Sequence, residues 1–198
     1  MDGFNGERQI GKTFTEIEPK HVERYSIAAE YCEGKRVLDA ACGIGYGSNL
    51  LKHEGKAKEV VGVDNSAEAL EYANTHWRTP NIKFQQFDLE QRDDFTELGI
   101  FDTIVSLETL EHLQPYPTET LEKFDEILKP GGYLIYSHPE NERPPGGKYH
   151  KHTKLFGQPI INHMTQYGYE VVFDWLQPGR ARVFRKPYHV VVLTKCKL

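Results

Sequence analysis

The sequence predicts an α/β fold, a three-layer sandwich around a seven-stranded, mostly parallel sheet whose last strand is antiparallel. Three observations point there. Short runs rich in Val, Ile and Phe alternate with amphipathic stretches of helical period, the pattern of a parallel sheet with crossover helices. A glycine-rich turn follows the first such run and opens a helix. The last two runs are joined by a long turn holding Pro178, Gly179 and Pro187 instead of a helix, so they should pair antiparallel.

Taken in order, strands are expected at residues 36–41, 59–64, 82–87, 101–107, 133–137, 170–176 and 189–194. Helices are expected at 19–31, 45–53, 67–76, 118–127 and 159–167. Asn65-Ser66 can cap the third helix, and Thr118 precedes a run that places Leu121, Phe124, Ile127 and Leu128 on one face. Residues 139–147 hold three prolines and two glycines in nine positions, so no regular element fits there. That segment suits either a plain surface loop or an active-site lid. No internal repeat or shift in composition marks a boundary, and 198 residues are enough for one continuous core. A single domain over 1–198 is expected, with residues 1–33 as a helical cap and 139–158 as the loop over the site.

Composition narrows the function classes. Apolar residues make up 38% and charged residues 27%, and no run approaches the roughly 18 to 20 apolar residues of a membrane span. The segment Met1-Asp2-Gly3-Phe4-Asn5-Gly6-Glu7-Arg8 lacks the basic start and apolar block of a secretory signal, so a cytoplasmic location is expected. Cys32, Cys42 and Cys196 show no paired spacing, which argues against a disulfide framework and a cysteine zinc site. A net charge of -5 argues against a broad grip on nucleic acid. Arg180, Arg182, Arg185, Lys186, Lys195 and Lys197 cluster late, as a solvated face or as a site for an anionic acceptor.

The chemistry begins at Asp39-Ala40-Ala41-Cys42-Gly43-Ile44-Gly45-Tyr46-Gly47-Ser48, between the first strand and its helix. Glycines there let backbone approach a ligand and leave amide N–H groups at a helix N-terminus, which favours an anionic group. The pyrophosphate of NAD and the methionine carboxylate of S-adenosylmethionine fit equally, and so does a tight turn without a ligand. Asp64 closes the second strand about 20 residues later, where a carboxylate can accept both ribose hydroxyls. Asp88, at the end of the third strand, is placed either to accept from an adenine amino group or to cap a helix.

Four segments together resemble class I S-adenosylmethionine-dependent methyltransferases: Val37-Leu38-Asp39-Ala40-Ala41-Cys42-Gly43, Val61-Gly62-Val63-Asp64, Phe101-Asp102-Thr103-Ile104-Val105-Ser106 and Leu128-Lys129-Pro130-Gly131-Gly132. The resemblance implies a Rossmann-like sheet and S-adenosyl-L-methionine as cofactor. It also implies cofactor contacts at Tyr25, Asp39, Ala41, Gly43, Gly45, Asp64, Asn65, Asp88, Leu89 and Leu107. Many members have glycine where Ala41 stands; its methyl group should slightly narrow the loop. Leu107-Glu108-Thr109-Leu110-Glu111-His112-Leu113 looks like the segment after strand four in methyltransferases of sugars, glycans and quinone precursors. Arg24-Tyr25 looks like the bacterial glycan-modifying branch, although Ser137-His138-Pro139-Glu140 replaces that branch's usual Ser-Thr-Pro-Asn.

Methyl transfer to a hydroxyl needs alignment and removal of a proton. His112 is the first candidate base, with Glu111 orienting it or taking the proton itself; a histidine with only a structural hydrogen bond is the alternative. His150, within Lys148-Tyr149-His150-Lys151-His152-Thr153, is the second. His150 and His152 could also hold a metal with Glu140 or His138, but no compact ligand motif is present, and no metal is expected. The leading expectation is O-methylation of a saccharide or other small polar acceptor, with a quinone-type phenol or another small metabolite as the alternative. A nicotinamide-dependent oxidoreductase and a non-catalytic cofactor-binding subunit are the readings outside that class.

Overall fold

A computed structural model describes residues 10–92, 94–113, 117–139, 158–178 and 187–197. It contains a seven-stranded sheet in the order β3-β2-β1-β4-β5-β7-β6. The chain divides between Asp88 and Leu89 into two compact units.

In the first unit, β1 (Arg36–Ala40), β2 (Glu59–Asp64) and β3 (Ile82–Gln86) are parallel. The strands β1 and β2 are buried along almost their whole length, as expected of parallel strands covered on both faces, while β3 is half exposed. The helices are α1 (Pro19–Ala29), α2 (Tyr46–His53) and α3 (Ala67–His76). The cap read from the sequence is present at α3, where Ser66 Oγ accepts from the Ala69 N–H at 3.2 Å. Trp77 anchors the chain ahead of α1, donating from its indole N–H to the Gly11 carbonyl at 3.1 Å.

In the second unit, β4 (Phe101–Leu107) and β5 (Leu128–Pro139) are parallel. The last strand, β7 (Tyr188–Lys195), runs antiparallel to both β5 and β6 (Tyr169–Gln177), so the final hairpin folds back into the sheet. The helices α4 (Pro117–Ile127) and α5 (Gln158–Gln166) bury Leu121, Phe124, Ile127, Ile160 and Met164. The strand β5 starts five residues earlier than the sequence suggests. Leu128 pairs with Phe101 and the ladder resumes at Tyr133 opposite Thr103, so Lys129 to Gly132 bulge out between those rungs. Gly131 takes φ +77° there, a backbone that favours glycine.

Lys195, expected in an open basic face, instead pairs with Asp125 of α4 at 2.8 Å. Its stem is largely buried, and its ammonium also donates to the Asp125 carbonyl at 2.8 Å. Lys197 is exposed; Arg180, Arg182, Arg185 and Lys186 lie outside the described residues, as do the lid residues 140–157. The three cysteines are free thiols. Among the described residues no helix is long and apolar enough to cross a membrane, and no cluster has the makings of a metal site.

Candidate functional site

The first unit builds a cradle between β1 and α2. Asp39 is fully buried on β1 and both its oxygens are engaged: Tyr25 of α1 donates from its hydroxyl at 3.0 Å, and Ser48 of α2 donates at 2.6 Å. Burial is the main cause that pushes the Asp39 pKa up to about 6, opposed by those two hydrogen bonds and helped by the nearby Asp64 charge. Asp39 and Tyr25, expected as cofactor contacts, thus tie α1 and α2 to the strand beneath the loop. The Tyr25 ring lies over Gly47 so closely that a Cβ there would stand 2.1 Å from its Cζ. In the sequence, Ser48 and Gly47 stand only as part of the glycine pattern. Their roles, hydroxyl donor and ring platform, required knowing where Tyr25 goes.

Three loop residues take left-handed backbone: Ala41 at φ +64°, Gly43 at +55° and Gly45 at +89°. The two glycines differ in what surrounds them. A Cβ on Gly45 would meet Phe84 at 2.6 Å and Ala73 at 2.7 Å, so that glycine is needed for packing as well as for φ. A Cβ on Gly43 would meet nothing within 4 Å, so the loop presents its bare backbone to open space. Behind it, Asp64 at the end of β2 accepts from the Gly43 N–H through Oδ2 and from the Ser66 N–H through Oδ1, each at 2.9 Å. Each carboxylate oxygen can take a second donor. Asn65 follows, exposed, with its carbonyl accepting from the Gln86 side chain at 2.9 Å. The Phe87 N–H donates to the Asp64 carbonyl at 3.0 Å, which brings half-buried Asp88 next in chain to that end of β2. A bare backbone turn with a carboxylate at its rim fits the amino-acid end and the ribose of S-adenosylmethionine.

The second unit carries the remaining candidates. Leu89 and Leu107 are buried. Beyond β4, Glu108 sits at φ +52°, uncommon for a residue with a side chain, and its N–H donates to Ser137 Oγ of β5 at 3.0 Å. Nothing in the motif's residue types signals that strained position, and such outliers concentrate at functional sites. Glu111 and His112 share one 3-10 turn, Leu110–His112, which packs against β5; Glu111 is buried and His112 half-buried. His150 lies outside the described residues.

The profile of a family described as "Methyltransferase domain" matches residues 32–172. The ubiquinone biosynthesis O-methyltransferase of Nitrosococcus oceani is 34% identical over 128 residues, 64% of this chain and 52% of that protein. The enzyme of the same name from Alkalilimnicola ehrlichii is 33% identical over 131 residues, covering 64% and 50%. The chain therefore spans about half the length of these curated relatives. They are quinone-pathway proteins by name, so the expected glycan branch finds no support in them. Among solved structures, the N-methyltransferase NodS from Bradyrhizobium japonicum, in complex with S-adenosyl-L-homocysteine, superposes with a TM-score of 0.73 at 18% identity, covering 91% of this chain and 89% of that one. The magnesium protoporphyrin IX methyltransferase from Synechocystis, with bound S-adenosylmethionine, reaches 0.63 at 18% identity over 89% and 77%. With the Rossmann-like seven-stranded sheet and the profile match over most of its length, the chain belongs to the methyltransferase-domain family, whose methyl donor is S-adenosylmethionine.

Proposed function

We propose that this chain, acting as one cytoplasmic methyltransferase domain, transfers the methyl group of S-adenosylmethionine to a hydroxyl of a quinone-type phenol. The observation that carries the donor half is the cradle at Gly43 and Asp64, where a Cβ on Gly43 would meet nothing within 4 Å and the Asp64 carboxylate accepts from the Gly43 N–H. The acceptor half rests on the relatives, named for ubiquinone biosynthesis, which favour a phenol over the saccharide of the leading sequence expectation.

In this reading the chain's own residues bind and align. The bare backbone at Gly43 receives the donor's amino-acid end, Asp64 accepts from the ribose hydroxyls, and Asp88 accepts from the adenine amino group. Asn65 contributes beside Asp64 through its backbone. Bound there, S-adenosylmethionine would supply an electrophilic methyl group in line with the acceptor oxygen, and the hydroxyl proton would pass to a base and on to solvent. His112 is that base, assisted by buried Glu111, or His150 serves in its place. Incubating the protein with labelled donor and a panel of catechols, quinols, nucleotide sugars and glycan fragments tests the reading. Label should pass to a phenolic oxygen; transfer to sugars alone, or to nothing in the panel, contradicts it. His112→Ala should slow transfer by roughly a hundredfold with donor affinity intact.

A further inference from the structure

A chain of rings crosses the first unit from residues 11–17 to the donor cradle. Those residues fold on themselves: one carboxylate oxygen of Glu16, in the 3-10 turn Phe14–Glu16, accepts from the Lys12 and Thr13 N–H groups. Ile17 is buried, and Gly11 lets the loop close, since a Cβ there would stand 2.9 Å from both Glu16 Cβ and Ile17 Cδ1. Trp77, just past α3, holds this loop. Its indole N–H donates to the Gly11 carbonyl, 66 positions earlier, and the Phe14 ring lies against it with centroids 4.9 Å apart. The same indole meets the Tyr46 ring edge-on at 6.4 Å, and Tyr46 meets Tyr25 edge-on at 5.4 Å.

The last two rings belong to the cradle. Tyr46 follows Gly45 and opens α2, while Tyr25 covers Gly47 and donates to Asp39. Tyr46 Oη also lies 3.3 Å from His21 Nδ1, which joins α2 to α1. Trp77 holds α2 at a second point, one turn past Tyr46, where its carbonyl accepts from the Asn49 side chain at 2.9 Å. Filling the end of α3 would need only a large apolar side chain. Trp77 adds a hydrogen bond to the loop and two ties to the helix beside the cradle. It keeps 5% of its exposure, whereas Phe14 keeps 38%, so the loop rests on the indole from the outside. Segments held by few buried contacts open at lower cost than the core around them.

We infer that Trp77 and Tyr46 are positioning residues of the donor site, and that docking of residues 11–17 on Trp77 and binding of the donor favour one another. With the loop docked, Trp77 is fixed by Gly11 and Phe14, Tyr46 and Asn49 fix the first turn of α2, and Tyr25 stays over Gly47. With the loop undocked, the indole loses both partners. The start of α1 loosens as well, because Ile17 stands two residues before it, and Tyr25 rides on that helix. A donor that prefers the firm cradle binds the docked form better, and by linkage it holds the loop down by the same factor. The inference rests on the donor site proposed at the cradle and names the residues that keep it in shape.

Phe14→Ala removes a ring that lies at the surface and outside the cradle, and Trp77→Phe keeps a ring but removes the indole donor. Both are made in the full chain and titrated calorimetrically with S-adenosylhomocysteine, with melting curves to confirm folding. Hydrogen exchange of the Trp77 indole proton, identified by elimination in Trp175→Phe, is followed by NMR with and without saturating S-adenosylhomocysteine. Each variant should bind about fivefold more weakly or worse, and the ligand should slow exchange at Trp77 about fivefold or more while leaving Trp175 within twofold. A merely structural Trp77 lowers the melting temperature and gives neither effect. Unaltered exchange at Trp77, or affinity within twofold of wild type in a folded Phe14→Ala protein, overturns the inference and leaves the donor site standing. Wild-type affinity in a folded Asp64→Ala protein overturns that donor site and the inference with it.

Discussion

Ala41 shows what a left-handed backbone costs a residue with a side chain. At φ +64° an L side chain costs roughly 1 to 2 kcal/mol, while glycine costs roughly 0.5 to 1 kcal/mol more entropy on folding. The first effect is larger, so Ala41→Gly should stabilise the protein by about 0.5 to 1 kcal/mol, read from chemical denaturation. Gly47 stands at the opposite extreme. The alanine methyl would occupy the Tyr25 ring, so Gly47→Ala should break the Tyr25–Asp39 bond, lower the melting temperature and weaken donor binding at least tenfold. Unchanged melting in that variant would refute the ring platform. The sequence marked both positions as part of a glycine-rich turn. It could not separate them, because the difference lies in a ring that arrives from α1, more than twenty residues upstream of Gly47.

At the scale of elements, two buried histidines set the acid response. His21 on α1 and His138 on β5 have pKa values lowered to about 3 and about 4, in each case chiefly by burial. A histidine whose folded pKa lies below its unfolded value contributes stability that is full above about pH 6.5 and is lost as pH falls toward the folded value. Asp39, raised to about 6, acts in the opposite sense and gains stability as pH falls from above 6 toward 4. Two lowered groups with larger shifts outweigh one raised group, so the urea midpoint should drop between pH 6.5 and 4. His138→Gln should flatten that drop; an unaltered profile in the variant would contradict the assignment. The elements themselves were largely legible, since β2, β4 and α3 occupy the residues read from pattern alone. The early start of β5 was hidden by Pro130-Gly131-Gly132, which signals a turn and in fact forms a bulge. The 3-10 turns escaped because three residues are too few for any periodicity to show.

At the scale of the whole molecule, the glycine-loop cradle and the ring row on β5, β7 and β6 differ in how far apart in sequence their parts lie. Asp39, Gly43, Gly45 and Asp64 fall within two consecutive strand-turn units, so residue type and spacing expose them. The row of His138, His189 and Asp174 exists only because β7 inserts between β5 and β6, a long-range register that no local pattern encodes. The relatives' names favour the quinone-type alternative over the saccharide expectation, and the motif after β4 could not separate the two because it looks like that of sugar, glycan and quinone-precursor methyltransferases alike. The central claim, that the cradle holds S-adenosylmethionine through Asp64, is tested most directly by calorimetric titration of S-adenosylhomocysteine into the wild-type protein, Asp64→Asn and Asp64→Ala, with melting curves to confirm folding. Two hydrogen bonds to a charged acceptor contribute roughly 1.5 to 3 kcal/mol each, so Asp64→Ala should weaken binding by roughly a hundredfold or more, with Asp64→Asn between. Equal affinity in a folded Asp64→Ala protein, or tighter binding of NAD than of S-adenosylhomocysteine by wild type, would contradict it.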